Sequence, residues 1–96
     1  MSCLHLINRS PVQGALPVCS TLVRGGDGVL FIEDGIYHCL QAELISNLPP
    51  DVELYCLRED LLARGVGSRV TETVESINYS RFVELCCEFD KVVSWF

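Results

Sequence analysis

The run Val29–Ile32 (VLFI) is entered from Gly28, closed by Glu33 and carries no polar residue at alternate positions. A strand with one wet face alternates apolar and polar side chains, so this run predicts a strand buried on both faces, at the centre of a parallel sheet. Such a strand can exist only between two layers of helix. The sequence that follows it changes to helical spacing: Ile36, Cys39, Leu40 and Leu44 form one apolar face, with Asp34 placed to cap the helix and the turn residues NLPPD beyond its end.

The remaining elements fall around that centre. Cys3–Ile7 (CLHLI) predicts a first strand, ended by the turn residues NRSP. Pro17 is favoured at the first position of a helix, so the sequence predicts a helix from Pro17 to about Arg24 with Gly25 past its end. GGDG at 25–28 is a chain reversal, and no Gly-Lys-Ser/Thr follows to make it a phosphate loop. Val52–Leu57 predicts a third strand, and REDLLARG a short helix with acidic residues at its start and Arg64-Gly65 at its end. Val70–Ile77 alternates β-branched and acidic residues and predicts a fourth strand near an edge. Asn78 is placed to cap a last helix from Tyr79 to about Asp90, with Phe82, Leu85, Cys86 and Phe89 on one face, and KVVSWF predicts a fifth strand. Strand alternating with helix throughout predicts an α/β fold: one three-layer α/β/α domain over residues 1–96 with a mostly parallel five-stranded sheet. Sites in such folds form at the carboxyl ends of strands, here near Asn8–Cys19, Glu33–His38 and Arg58–Asp60.

Composition narrows the function. With 49% apolar residues in a chain of 96 there is material for one core and no second domain. Seven Lys and Arg against 13 Asp and Glu give a net charge of −6, which argues against a chain that grips RNA or DNA on its own, so nucleic acid would be held by a partner. No window approaches the roughly 18 apolar residues of a membrane span, and Cys3–Ile7 is too short for the core of a signal peptide, so the expected place is the cytoplasm. The six cysteines form no Cys-x-x-Cys and no zinc-ligand spacing, and in a reducing compartment they are expected to be thiols, with no metal or cofactor.

Among candidate residues, Cys19 stands out. A thiol in the first turn of a helix meets unpaired N–H groups and the positive end of the helix dipole, which favour the nucleophilic thiolate. Leu22 and Val23 would share its face, however, and a buried inert thiol would have the same pattern. Cys3 and Cys56 in strands, and Cys39 and Cys86 on apolar helical faces, read as core; Cys87 reads as exposed and incidental. His5 reads as a satisfied structural imidazole and His38 as a solvated or interface side chain. Glu33 and Asp34 point apart at a strand end and are not expected to act as an acid/base pair; Glu59 and Asp60 read as a helix start. Trp95 and Phe96 are expected to pack into the core or against a partner.

Five segments in register, LHLINRSP (Leu4–Pro11), LFIEDGIYHCL (Leu30–Leu40), YCLREDLLARG (Tyr55–Gly65), INYSRFVEL (Ile77–Leu85) and DKVVSWF (Asp90–Phe96), resemble the DsrH/TusB family of sulfur-relay proteins. The resemblance implies the DsrE/DsrF/DsrH fold. It also implies a subunit of a cytosolic sulfurtransferase complex, a heterohexamer with two copies each of DsrE/TusD-like, DsrF/TusC-like and DsrH/TusB-like chains, that passes persulfide sulfur to a TusE/DsrC-like acceptor. The implied pathway is 2-thiolation of the tRNA wobble uridine, with the homologous complex of dissimilatory sulfur oxidation as the alternative. The main sulfur-carrying cysteine of such complexes lies on the DsrE/TusD-like subunit. Cys19 matches the position where DsrH-type members carry a cysteine, which makes it the candidate persulfide-accepting thiol of this chain. Arg9 and Asp34 match the family pattern without an assigned role. A purely structural subunit that shapes a partner's site is the competing reading, and a free-standing thiol redox protein is disfavoured by the missing Cys-x-x-Cys.

Overall fold

A computed structural model of the chain describes residues 2–11, 23–46 and 48–95. Five strands, β1 (Cys3–Ile7), β2 (Gly28–Phe31), β3 (Glu53–Leu57), β4 (Glu75–Ile77) and β5 (Lys91–Trp95), form one sheet in the order β4-β3-β2-β1-β5. Every neighbouring pair is parallel. The expected central strand is the middle one, and all four of its residues are buried.

Alternation along the strands sorts the core into two layers. Ile7, Val29, Phe31 and Cys56 face one side, where they meet Ile36, Cys39, Ile45 and Leu61. These come from a 3-10 helix (Glu33–Leu40) and two short helices, α1 (Ala42–Ile45) and α2 (Arg58–Arg64). Leu4, Leu6, Leu30, Tyr55, Leu57 and Ile77 face the other side and pack on Leu85, Phe82, Cys86 and Phe89 of and just beyond α3 (Tyr79–Glu88). Phe31, Leu4, Ile7 and Leu30 are completely buried, each a gain of roughly 1.5–3 kcal/mol over exposure.

Several helix ends follow the sequence. Gly65 takes the left-handed conformation (φ 65°) that closes α2. Asn78 Oδ1 accepts the Arg81 N–H at 2.9 Å and caps α3. The expected helix at 17–24 falls on residues of which 17–22 lie outside the described part, as do the Leu44 side chain and Phe96.

Three expectations change. Asp34 does not cap the helix after β2: it is the second residue of a 3-10 helix, and its carboxylate lies 3.0 Å from Arg64. The cap arrives from α2, where Asp60 Oδ2 accepts the Glu33 N–H at 2.6 Å. Glu59 beside it accepts the Tyr79 N–H at the start of α3 at 3.2 Å, so both carboxylates of the α2 start serve neighbouring helices. The fourth strand is shorter than Val70–Ile77 because its leading backbone donors are diverted. Thr71 N–H goes to the Cys39 carbonyl (2.9 Å) and Val74 N–H to the Thr71 carbonyl (3.2 Å), leaving only Glu75–Ile77 for the ladder. His38, read as a solvated or interface side chain, is 2% exposed and lies inside the chain's own fold.

The 3-10 helix is seated on the end of β1. Ile32 N–H donates to the Ile7 carbonyl at 2.9 Å, and a Cβ on Gly35 would stand 2.0 Å from that same oxygen. Backbone cannot yield as a side chain does, so Gly35→Ala is expected to lower the urea midpoint by the equivalent of about 2 kcal/mol or more. Gly67→Ala, where the nearest atom to the new Cβ would be 3.9 Å away, is expected to stay within about 0.5 kcal/mol of the parent. Equal effects of the two substitutions in urea denaturation would contradict this seating.

Candidate functional site

The carboxyl ends of β1 and β2 are where a parallel sheet places its sites. Residues 8 and 9 leave β1 and lie against the 3-10 helix. That helix has about three residues per turn, so positions three apart share a face. Gly35 and His38 are such a pair. Gly35 abuts the Ile7 carbonyl and the Asn8 Cα, and one turn later His38 Nε2 lies 3.0 Å from the Arg9 carbonyl.

A carbonyl oxygen only accepts, so Nε2 carries the proton and Nδ1 of the neutral ring presents a lone pair. Burial pushes the His38 pKa below its ordinary value, against the smaller opposing effect of the Arg9 hydrogen bond, and the ring is neutral at pH 7. Its other ring contact is Phe31, at 5.5 Å between centroids. Nδ1 is buried without a hydrogen-bond partner among the described residues, and so is Oδ1 of Asn8, the residue that follows β1. The exit of β1 and the 3-10 helix therefore each carry one acceptor that no described residue matches.

Charge frames the outer rim of this edge. Arg64 lies 3.0 Å from Asp34 and 3.7 Å from Asp60, while Asp60 also holds the Glu33 N–H. Glu33 sits at φ 50°, a region that costs a non-glycine residue about 1–3 kcal/mol. Both carboxylates of the Glu33-Asp34 pair are thus on the exposed rim, with Asp34 tied to Arg64.

A second polar cluster runs through the sheet. His5 and Asp27 are 4% and 5% exposed, with His5 Nε2 3.1 Å from Asp27 Oδ2. Trp95 Nε1–H donates to His5 Nδ1 at 3.0 Å, which fixes Nε2 as the protonated nitrogen facing the carboxylate. Asp27 also accepts the N–H groups of Cys3 and Arg24, each at 3.0 Å. Burial opposes the charge on Asp27, but the hydrogen bonds from Arg24, His5 and Cys3 outweigh it and hold the carboxyl below its ordinary range. Both nitrogens of His5 are engaged, so the expected structural imidazole is what the fold contains. Trp95 is half-buried and packs within the chain's own core.

Of the cysteines, Cys19 lies outside the described residues. Cys39 and Cys56 are fully buried and hydrogen-bonded to each other, which pushes the Cys39 thiol up and Cys56 down. Cys3 is pushed up by burial and by Asp27, and Cys86 by burial and by Cys87. Cys87 is exposed. Among the described residues, then, the two thiols hydrogen-bonded to each other are sealed in the core and the one open to solvent stands on the outer side of α3. Among these residues no group of three or more His, Cys, Asp or Glu could hold a metal, and no helix is long and apolar enough to cross a membrane. A separate open cleft of about 350 Å³ lies by the amino ends of β3 and β4, lined by Glu53, Tyr55, Thr73, Glu75 and Arg81. Arg81 there is engaged by Glu84 and Glu88.

The sequence signal that could have exposed His38 was its three-residue offset from Gly35. It was masked because the apolar pattern Ile36, Cys39, Leu40 also fits an α-helix, which would turn His38 outward.

Comparison with known proteins gives a consistent picture. The family model described as "DsrH like protein" matches residues 9–92. "Protein TusB" of Photorhabdus laumondii is 36% identical over 97 residues, covering 96% of this chain and 99% of that protein. "Protein TusB" of Serratia proteamaculans is 35% identical with the same coverage, and that of Escherichia coli O81 is 31% identical. Among solved structures, the ychN protein of Escherichia coli has a TM-score of 0.76 at 13% identity, covering 98% of this chain and 99% of that one. Protein Tm0979 of Thermotoga maritima has a TM-score of 0.70 at 22% identity, with 90% and 92% covered. These two show the fold.

The Asp27 cluster makes a pH prediction. A carboxyl whose folded pKa is depressed contributes stability that is present above its unfolded pKa, ordinarily 3.8, and is lost as pH falls through the folded value. In Asp27→Asn one oxygen becomes an NH2 group facing N–H donors, which should cost about 2–4 kcal/mol near neutral pH. Urea titrations of parent and variant should show that gap narrowing below pH 3.8. A gap independent of pH would mean that Asp27 is not held as a carboxylate.

Proposed function

The chain belongs to the DsrH family, and from that premise we propose that it is a subunit of a cytoplasmic sulfurtransferase complex serving 2-thiolation of the tRNA wobble uridine, with Cys19 as its persulfide-accepting thiol. The observation that carries the reading is the end-to-end similarity to proteins named TusB, at 31–36% identity over 96% of this chain. The proposed partners are DsrE/TusD-like and DsrF/TusC-like subunits, two copies of each of the three chains, and a TusE/DsrC-like sulfur acceptor. A net charge of −6 suits a subunit that meets tRNA only through such partners.

The chemistry requires only thiols. The Cys19 thiolate attacks the outer sulfur of a donor persulfide R–S–SH; the S–S bond breaks, R–S⁻ leaves with the electron pair, and Cys19–S–SH is formed. Repetition of the exchange hands the sulfur onward with no net oxidation, so neither metal nor nucleotide is needed. The placement of the other thiols supports Cys19: four of the five described cysteines are buried or half-buried, and Cys87 stands on the outer side of α3.

The assembled complex, loaded from a persulfide donor and digested, is expected to carry one added sulfur on the Cys19 peptide. Cys19→Ser should slow transfer to the acceptor by about tenfold or more. An unmodified Cys19 beside a loaded partner cysteine, with undiminished transfer in the variant and assembly intact, would replace this reading with that of a structural subunit shaping its partner's site. Loss of sulfur oxidation instead of tRNA thiolation on deletion would move the complex to the dissimilatory pathway.

A further inference from the structure

His38 is the buried polar group that the fold leaves half satisfied. It is 2% exposed, its Nε2–H is spent on the Arg9 carbonyl, and its Nδ1 has no partner among the described residues. A buried acceptor without a donor destabilises the fold, and an apolar residue of similar size at this position would carry no such cost. Asn8 Oδ1, at the end of β1, is also without a partner among the described residues. Phe31 lies against the His38 ring, at 5.5 Å between centroids. The missing partner must be a hydrogen-bond donor that arrives at the carboxyl edge of β1, and it must tolerate an aromatic and otherwise apolar surround. A sulfhydryl is such a donor: it is weakly hydrated, and sulfur makes favourable contacts with aromatic rings.

We propose that His38 Nδ1 accepts the S–H of the sulfur carrier at this edge and takes its proton as the thiol becomes a nucleophile. This rests on the relay reading. In the step, the proton of R–SH passes to Nδ1, the thiolate attacks the outer sulfur of R′–S–SH, and the departing R′–S⁻ recovers the proton from His38. The sum is R–SH + R′–S–SH giving R–S–SH + R′–SH, with no oxidant or reductant. The low basicity of the buried ring suits return of the proton once the leaving thiolate forms. The S–H is that of a partner subunit's thiol.

The discriminating variant is His38→Gln. Its amide NH2 can reproduce the Nε2–H donor to the Arg9 carbonyl, while the Nδ1 lone pair is lost. In the assembled complex this variant should load from a persulfide donor about tenfold or more slowly while the final sulfur content is unchanged. An unchanged rate would overturn the proposal. Independently of any relay, the chain with 15N-labelled histidine, titrated with methanethiol, should show a saturable change in the His38 Nδ1 resonance that dimethyl sulfide, which has no S–H, does not produce. No change, or the same change with both, overturns it. If the complex takes up no sulfur at all, the relay reading fails and the titration alone decides the role of His38.

Discussion

A strand with no solvated face can be stable only if every one of its side chains meets another apolar surface, and β2 imposes that condition on the whole chain. Its four residues are all buried, with Val29 and Phe31 facing the layer of short helices and Leu30 facing α3. The neighbouring strands inherit the same division: Ile7 and Cys56 go to one side, and Leu4, Leu6, Tyr55 and Leu57 to the other. The edge strands are the short β4 and the largely exposed β5, which begins with Lys91, a residue type that discourages further strand pairing. The parallel direction of all five strands gathers their carboxyl ends on one side of the molecule, and that is where β1 hands the chain to the wall formed by the 3-10 helix.

What the sequence made legible is what side-chain periodicity reports. The first strand, Cys3–Ile7, was readable to the residue, and the two-sided burial of β2 followed from an apolar run without alternation. The start of α3 was readable from Asn78, because a capping amide works through its own helix. The capping of the 3-10 helix was not readable, because its acceptor, Asp60, comes from 27 residues further along the chain. Local chemistry assigned the task to Asp34; tertiary structure gave it to a carboxylate on α2 and left Asp34 to pair with Arg64. The fourth strand was over-extended for a related reason, since the carbonyl that claims the Thr71 N–H is Cys39, far away in sequence.

The misplacement of His38 has a different origin, a change of helical period. At about 100° per residue, Ile36, Cys39 and Leu40 define the inward face and His38 points away. At about 120° per residue, Ile36 and Cys39 still coincide, but His38 now lies directly over Gly35. Gly35 has the Ile7 carbonyl against it, so the rotation carries the imidazole from solvent into the β1 exit. The apolar residues fit both periods, so their pattern could not choose between them. Gly35 decides, because it alone lacks the Cβ that would hold the helix away from the strand.

The two histidines then differ only in how their second nitrogen is treated, and that difference separates structure from chemistry in this small sheet. In His5 the indole of Trp95 occupies Nδ1 and the Asp27 carboxylate takes Nε2–H, so the ring is locked in one tautomer and has nothing left to offer. In His38 a backbone carbonyl takes Nε2–H and no described residue occupies Nδ1. Both rings are buried and both tautomers are fixed from outside the ring, yet one is closed and the other is poised. A lone pair left unspent in the resting fold can take a proton without first breaking a bond of that fold. On the proposed role of His38, chemistry would fall where the carboxyl end of β1 meets the 3-10 helix, while the longer polar chain through His5 belongs to the frame.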